Sequence, residues 1–350
     1  MNEKLLRTLF LPLEKEITSR QDFKNGLFLN AVRGQWFEVF KNTEWSVFQP
    51  NYSLYKNFEC LPQEKRFYDP GSIRHFGTFD LICILATKDK SETRFYIAHG
   101  LQMLDRNGVL LIAAENKAGG KALSDDLKTL GIPFIAESKH KARVCMIEKT
   151  WTFDQNTISQ LSSWLDEGRF KSVCDGQYLS CPGIYGWNKV DRGSHMLAAH
   201  LPLNLTGCGA DFGCGYGFLS IAALENNPAI REMHCYDSDY RAILAAKKNI
   251  GRIDNNQRPI HYHWTDLGLA GSVDKKNFDW IVMNPPFHTG HDTDVDLGQK
   301  FIKTAALALK SGGRLFMVAN QNLPYERVLE TAFQRWEKII EKDGFKILFA

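Results

Sequence analysis

The stretch GADFGCGYGFLSIAALEN, Gly209 to Asn226, starts as a short strand-like run, passes through glycines at 213, 215 and 217, and continues as a helix-forming segment. Glycines at alternate positions let a chain turn sharply at a strand end and approach a ligand with no Cβ in the way, while the helix start supplies free amides. A bare glycine triplet is also found at plain tight turns. The spacing is D-x-G-x-G-x-G from Asp211, not the G-x-G-x-x-G of a dinucleotide site.

The residues downstream keep the alternation going. Strand EMHCYD leads to helix DYRAILAAKKNIG, strand PIHYHW to a turn, strand FDWIVM to helix VDLGQKFIKTAALALK, and strand GRLFMVA to a last helix and FKILFA. Alternating strands and helices imply a mostly parallel sheet covered on both faces, here of seven strands. Upstream, apolar runs LFLNAV, FDLICILA, GVLLIAAE and ARVCMI are separated by the helix-like stretches ETRFYIAHGLQML and GGKALSDDLKTLG.

The two halves repeat. FDLICIL (Phe79 to Leu85), a helix and NGVLLIAAEN mirror FDWIVMN, a helix and GGRLFMVAN. The first copy has Ala86, Thr87 and Lys88 where the second has Asn-Pro-Pro-Phe, and no glycine triplet precedes it. The expected architecture is therefore α/β, with two tandem Rossmann-like domains of which the first is degenerate. Their expected extents are 1–170 and 187–350, joined by a turn-rich linker at 171–186 that includes GQYLSCPGIYG.

Composition bounds the class. A chain of 350 residues with 44% apolar and 24% charged residues is an ordinary globular protein large enough for two cores. A net charge of +3 permits a polyanionic partner without arguing for one. The eight cysteines show no CxxC pair and several lie in apolar runs, as buried thiols in a reducing cytoplasm do. The N-terminal MNEKLLRTLFLPLEKE does not read as a secretory signal and no segment is long enough to span a bilayer, so a cytoplasmic location with no membrane partner is expected.

Two carboxylates strengthen the reading of the glycine loop as a nucleotide-like site. Asp237 closes the next strand, where a carboxylate at the carboxyl edge can accept both hydroxyls of a ribose. Asp266 follows the strand after that and is placed to meet an adenine amine, with Leu267 beside the ring. FDWIVMNPPFHTG, Phe278 to Gly290, then ends a core strand in residues that cannot extend a ladder. The Asn284 side-chain oxygen and the Pro285 carbonyl can accept hydrogen bonds from one exocyclic amine, Pro286 stiffens the turn, and Phe287 can stack on a planar base for about 1–3 kcal/mol. The conjugated lone pair of such an amine is a poor nucleophile, and two fixed acceptors orient it toward a methyl donor.

No metal is expected. His261 and His263 alternate on one strand face, but no third ligand at suitable spacing is evident. His288 and His291 follow the tetrapeptide, where either can meet RNA phosphate or cap a loop.

The Asp211 motif resembles motif I of class I S-adenosylmethionine-dependent methyltransferases. The whole second half is similar to the bacterial ribosomal RNA guanine-N2 methyltransferases of the small-subunit methyltransferase C type. The resemblance is carried by DRGSHML (Asp191 to Leu197), DFGCGYGFLS, NPPFHTG, SGGRLFMVANQNLPY and FKILFA, with AENKAGG (Ala114 to Gly120) in the first half. It implies S-adenosyl-L-methionine as cofactor and ribosomal RNA or a ribosomal subunit as partner; a monomer is expected. It makes Asp211, Gly213, Gly215, Asp237 and Asp266 cofactor contacts and Asn284 to Phe287 the catalytic pocket, and puts Asp191 and Ser194 close to the cofactor or the target base; Gly217, Leu267 and Asn284 are expected beside the cofactor as well, and Asp191, Ser194, Phe287 and His288 against the substrate. Where that family has Gly-x-Phe-Ser, this chain has Gly183, Ile184, Tyr185 and Gly186, so the serine is missing. Two other readings stay open on the residues alone: the same tetrapeptide serves N5-glutamine protein and DNA adenine-N6 methyltransferases, and a methyltransferase scaffold can act as a non-catalytic RNA-binding assembly factor.

Overall fold

The structure, a computed structural model, describes residues 3–16, 23–254, 258–286, 288–289, 292–293 and 295–350. The chain divides between Arg169 and Phe170 into two units, each built on a seven-stranded sheet.

In the first unit the strands are β1 (Asn25–Leu29), β2 (Glu44–Phe48), β3 (Arg66–Phe67), β4 (Phe79–Leu85), β5 (Leu104–Glu115), β6 (Ile135–Lys139) and β7 (Ala142–Glu148), in the order β3-β2-β1-β4-β5-β7-β6. The first five pair in parallel, and β7 joins antiparallel to β5 and β6. Central β4 reads FDLICIL, and its last five residues are buried, as a strand covered on both faces requires. Helices Lys90–Met103 and Gln155–Gly168 cover one face with Tyr96, Leu101 and Trp164, while Glu3–Glu16 covers the other with Leu6, Leu9 and Phe10.

The second unit opens with a hairpin of β8 (Lys171–Val173) and β9 (Tyr178–Ser180). The stretch expected to be a linker is thus structured: Asn249 bonds both Leu179 N and Leu179 O, and Cys181 and Ile184 are buried. Apolar anchors every few residues override the turn-rich composition. The sheet strands are β10 (Gly207–Phe212), β11 (Ile230–Asp237), β12 (Ile260–Trp264) and β13 (Phe278–Met283), followed, after the two-residue strands β14 (His288–Thr289) and β15 (Asp292–Thr293), by β16 (Leu309–Asn320), β17 (Glu337–Lys342) and β18 (Phe345–Phe349). Their order, β12-β11-β10-β13-β16-β18-β17, repeats that of the first unit, with β10 to β13 and β16 parallel and the last two strands antiparallel.

This order locates the site. The chain runs outward from β10 to β12 and then returns to β13 on the other side of β10. The loops after β10 and β13 therefore diverge and leave a crevice at the carboxyl ends of the strands. The Asp211 motif and the Asn-Pro-Pro-Phe segment are those two loops.

Candidate active site

The glycine loop is held by its own backbone. Gly213, Gly215 and Gly217 have φ of 81°, 54° and 94°, all in the left-handed region. The amides of Gly213 and Cys214 both donate to Tyr236 O at 2.9 Å, and that of Gly217 to Cys214 O at 2.8 Å. Helix Phe218–Asn226 begins with Gly217 as its N-cap and no side chain capping it, so its amide end is left for a ligand. A Cβ on Gly215 would enter open space.

Two acids lie beneath this loop. Asp211 is fully buried; Ser220 Oγ donates to its Oδ2 at 2.7 Å, and Oδ1 has no partner. Burial pushes its carboxyl up to about 7, against the lowering effect of the Ser220 hydrogen bonds and with the help of the charge on Asp237. Asp237, half-buried at the end of β11, accepts from Gly215 N at 2.9 Å and Asp239 N at 2.8 Å. Burial raises it to about 6 in spite of those amides.

Across the crevice, Asn284 Nδ2 donates to Asp191 Oδ2 at 2.9 Å and to Ser194 Oγ at 2.8 Å. Both amide hydrogens are thereby used and Oδ1 must point the other way. Asp191 is held as N-cap of helix Arg192–His200, its Oδ2 accepting from Ser194 N at 2.9 Å. Pro285 is buried and Pro286 half-buried, so the turn after β13 is fixed on both sides. Asn284, Asp191, Ser194, Gly213 and Gly215 line one cleft together with Tyr185, Lys189, Tyr216, Phe218 and Leu219.

The expected residues are not all brought to that cleft. Asp237 reaches it through the Gly215 amide. Asp266 accepts from Gly268 N at 2.8 Å in a turn after β12, and neither it nor Leu267 lines the cleft. Leu267 is 2% exposed in the core around Phe301 and Ile302, so its side chain offers no face to an adenine ring. Phe287 and the His288 side chain fall outside the described residues.

Sequence reading missed Tyr185, Lys189 and Tyr216. A signal was present in Gly183-Ile184-Tyr185-Gly186: glycines at 183 and 186 have φ of 97° and 61°, Ile184 is buried, and Tyr185 between them is 63% exposed. Only the tertiary anchor tells which of the two neighbours faces out.

The residues fit the nucleoside cofactor of the expected family. An uncapped helix start, a Cβ-free loop, a buried carboxylate oxygen with no partner and a strand-end acid surround one crevice. Among the described residues, no helix is long and apolar enough to cross a membrane.

Comparisons with known proteins agree. The ribosomal RNA small subunit methyltransferases C of Shewanella loihica and Acinetobacter baylyi are each 29% identical, over 78% and 77% of this chain and 79% and 78% of their own. The T. thermophilus 16S rRNA N2 methyltransferase, solved in complex with AdoMet and guanosine, superposes with a TM-score of 0.75 at 20% identity, covering 97% of this chain and 91% of that one, a likeness of fold. The methyltransferase small domain N-terminal profile matches residues 17–167 and the methyltransferase small domain profile matches residues 175–349. The chain belongs to the methyltransferase small domain family.

Proposed function

We propose that this protein transfers a methyl group from S-adenosyl-L-methionine to the exocyclic N2 amine of a guanine in ribosomal RNA of the small subunit. The observation that carries the reading is the Asn284 amide, clamped by Asp191 and Ser194 beside the glycine loop so that one acceptor oxygen is presented in the crevice. The curated relatives are named for small-subunit RNA, which selects this acceptor over a protein glutamine or DNA adenine.

Asp211, Gly213, Gly215 and Gly217 would hold the cofactor's methionine end, with Asp237 and Asp266 taking its nucleoside. Leu267 supports Asp266 from the core rather than through a stacking contact. When bound, the cofactor supplies an electrophilic methyl carbon on a sulfonium. Asn284 Oδ1 and the Pro285 carbonyl accept the two amine hydrogens of guanine and turn its lone pair toward that carbon, and Phe287 stacks on the base. Held by these two acceptors, the amine would take the methyl in exchange for the cofactor's sulfur, and its surplus proton would pass to water. His288 is read as a neighbour of the RNA strand. A ribosomal RNA substrate supports a cytoplasmic location, and the cleft's lining within one unit of one chain supports action as a monomer.

The test is transfer of labelled methyl to small-subunit particles from a strain lacking the protein, followed by nucleoside mass spectrometry, where N2-methylguanosine is expected. Asn284→Ala should lower kcat by ~10²-fold or more and leave the cofactor Kd within ~3-fold. Full activity in that variant would refute the assignment.

A further inference from the structure

At the amino ends of β10, β11 and β12, opposite the catalytic crevice, four donor side chains share one face of the sheet. Cys208 pairs in register with Glu232, His234 with His261, and Glu232 and His234 are two residues apart on β11. Strand spacing within β12 alone shows no third ligand for its histidines; the register of three strands supplies it.

The ligand atoms of Cys208, Glu232 and His234 all lie within 4.8 Å of one another. Glu232 Oε1 is 3.1 Å from His234 Nε2 and 2.9 Å from His261 Nε2. On its other side, His234 Nδ1 is 2.9 Å from His263 Nε2, the outer hydrogen bond that orients a metal-bound imidazole. The rings of His234 and His263 lie 4° from parallel, and Phe278 packs against His234 at 5.1 Å. Among the described residues, no lysine or arginine is paired with Glu232: the nearby Lys310 is 3.0 Å from Asp279 instead. The carboxylate therefore faces imidazole nitrogens and the Cys208 thiol, an arrangement one cation would complete.

We propose that Cys208, Glu232, His234 and His261 form a binding site for Zn²⁺. One thiolate, two imidazoles and one carboxylate are a four-donor set for tetrahedral zinc, and sulfur with nitrogen selects it over the oxygen-seeking Mg²⁺ and Ca²⁺. Bonds of about 2.0 to 2.3 Å would place the ligand atoms roughly 3.3 to 3.8 Å apart; those of Cys208, Glu232 and His234 already lie within 4.8 Å, and the His261 ring, stacked on His234 at 4.5 Å, must turn out of that stack to complete the set. The three strands are fixed by the sheet, so the ion would tie the edge strand β12 to its neighbours. It would stand away from the methyl-transfer chemistry.

The experiment titrates Zn²⁺ into chelator-stripped full-length protein against a chromophoric competitor, with Co²⁺ as a spectroscopic probe. One equivalent should bind with a Kd of about 1 µM or tighter, and Co²⁺ should give a thiolate charge-transfer band. Cys208→Ser should abolish the band and His261→Asn should weaken Zn²⁺ binding at least ~10-fold, while Cys60→Ser, an exposed thiol in the other unit, should change neither. The His261 side chain is 46% exposed, so its replacement tests the site even if the Cys208 variant fails to fold. Substoichiometric binding, or binding indifferent to both replacements, would overturn the proposal.

Discussion

At the scale of single residues, the site depends on which way one amide points. Asn284 has an acceptor and a donor end of nearly the same shape, and the crevice is useful for an amine only if the oxygen faces it. Asp191 Oδ2 and Ser194 Oγ decide this by taking both hydrogens. Ser194→Ala removes one of the two acceptors and should slow transfer ~3- to 10-fold in single-turnover measurements with an unaltered cofactor Kd. A weaker Kd at an unchanged rate would instead place Ser194 against the cofactor. Asp211 carries a different consequence. Its carboxyl, raised by burial to about 7, keeps its proton in the folded state to a pH where the unfolded chain has lost it. That contribution to stability is complete below about pH 4 and is lost as pH rises through about 7. Asp211→Asn, neutral throughout, should match the parent protein near pH 4 and exceed it near pH 8 by on the order of 3–4 kcal/mol, read as a widening Tm difference. A difference independent of pH would show that Asp211 does not titrate in this range. The same variant should bind the cofactor more weakly.

At the scale of elements, β10 and its loop are shaped by what cannot carry a side chain. A Cβ on Gly209 would lie 2.0 Å from the Trp280 ring, which is buried and held by its Nε1 donating to Thr206 O at 3.1 Å. Gly209→Ala should therefore destabilise by about 3 kcal/mol or more in denaturant melts. Gly215→Ala separates folding from binding: the new methyl meets nothing, so stability should fall only by the ~1 kcal/mol of a left-handed residue, while calorimetry shows cofactor affinity reduced by more than that. Equal losses in both measurements would mean the loop does not approach the ligand. The central strands of both units were legible because strands covered on two faces must be continuously apolar. The strands of the two large sheets that were missed in sequence, β2, β3, β6 and β17, are short or lie toward sheet edges. IAESK in β6 and EKIIEK in β17 face water along most of their length and carry the charges that protect an edge, so no apolar run marks them.

At the scale of the whole molecule, one topology occurs twice, and the glycine loop and the Asn-Pro-Pro-Phe turn belong to the second copy alone. In the first unit the loop after β1 is closed by side chains: Gln49 Nε2 donates to Ala31 O at 2.8 Å, and Asn30 Nδ2 to Leu85 O at 2.9 Å. Amide groups bridge the position where the second unit leaves backbone amides and an acid around a gap. Residues 170–350 expressed alone should accordingly bind S-adenosyl-L-methionine within ~3-fold of the full chain, yet methylate small-subunit particles at least ~10-fold more slowly. An unchanged methylation rate would leave the first unit without a part in RNA recognition. The sequence by itself determined the alternation of the central strands and helices, the duplication, and which copy has the glycine loop and the Asn-Pro-Pro-Phe turn, because these follow from local periodicity and from backbone demands of single residues. Only the tertiary structure decided that Asn284 presents its oxygen, since the groups that turn it lie 93 and 90 residues away, and that Leu267 belongs to the core. Orientation of a side chain is set by partners that folding brings together, and no local pattern encodes them.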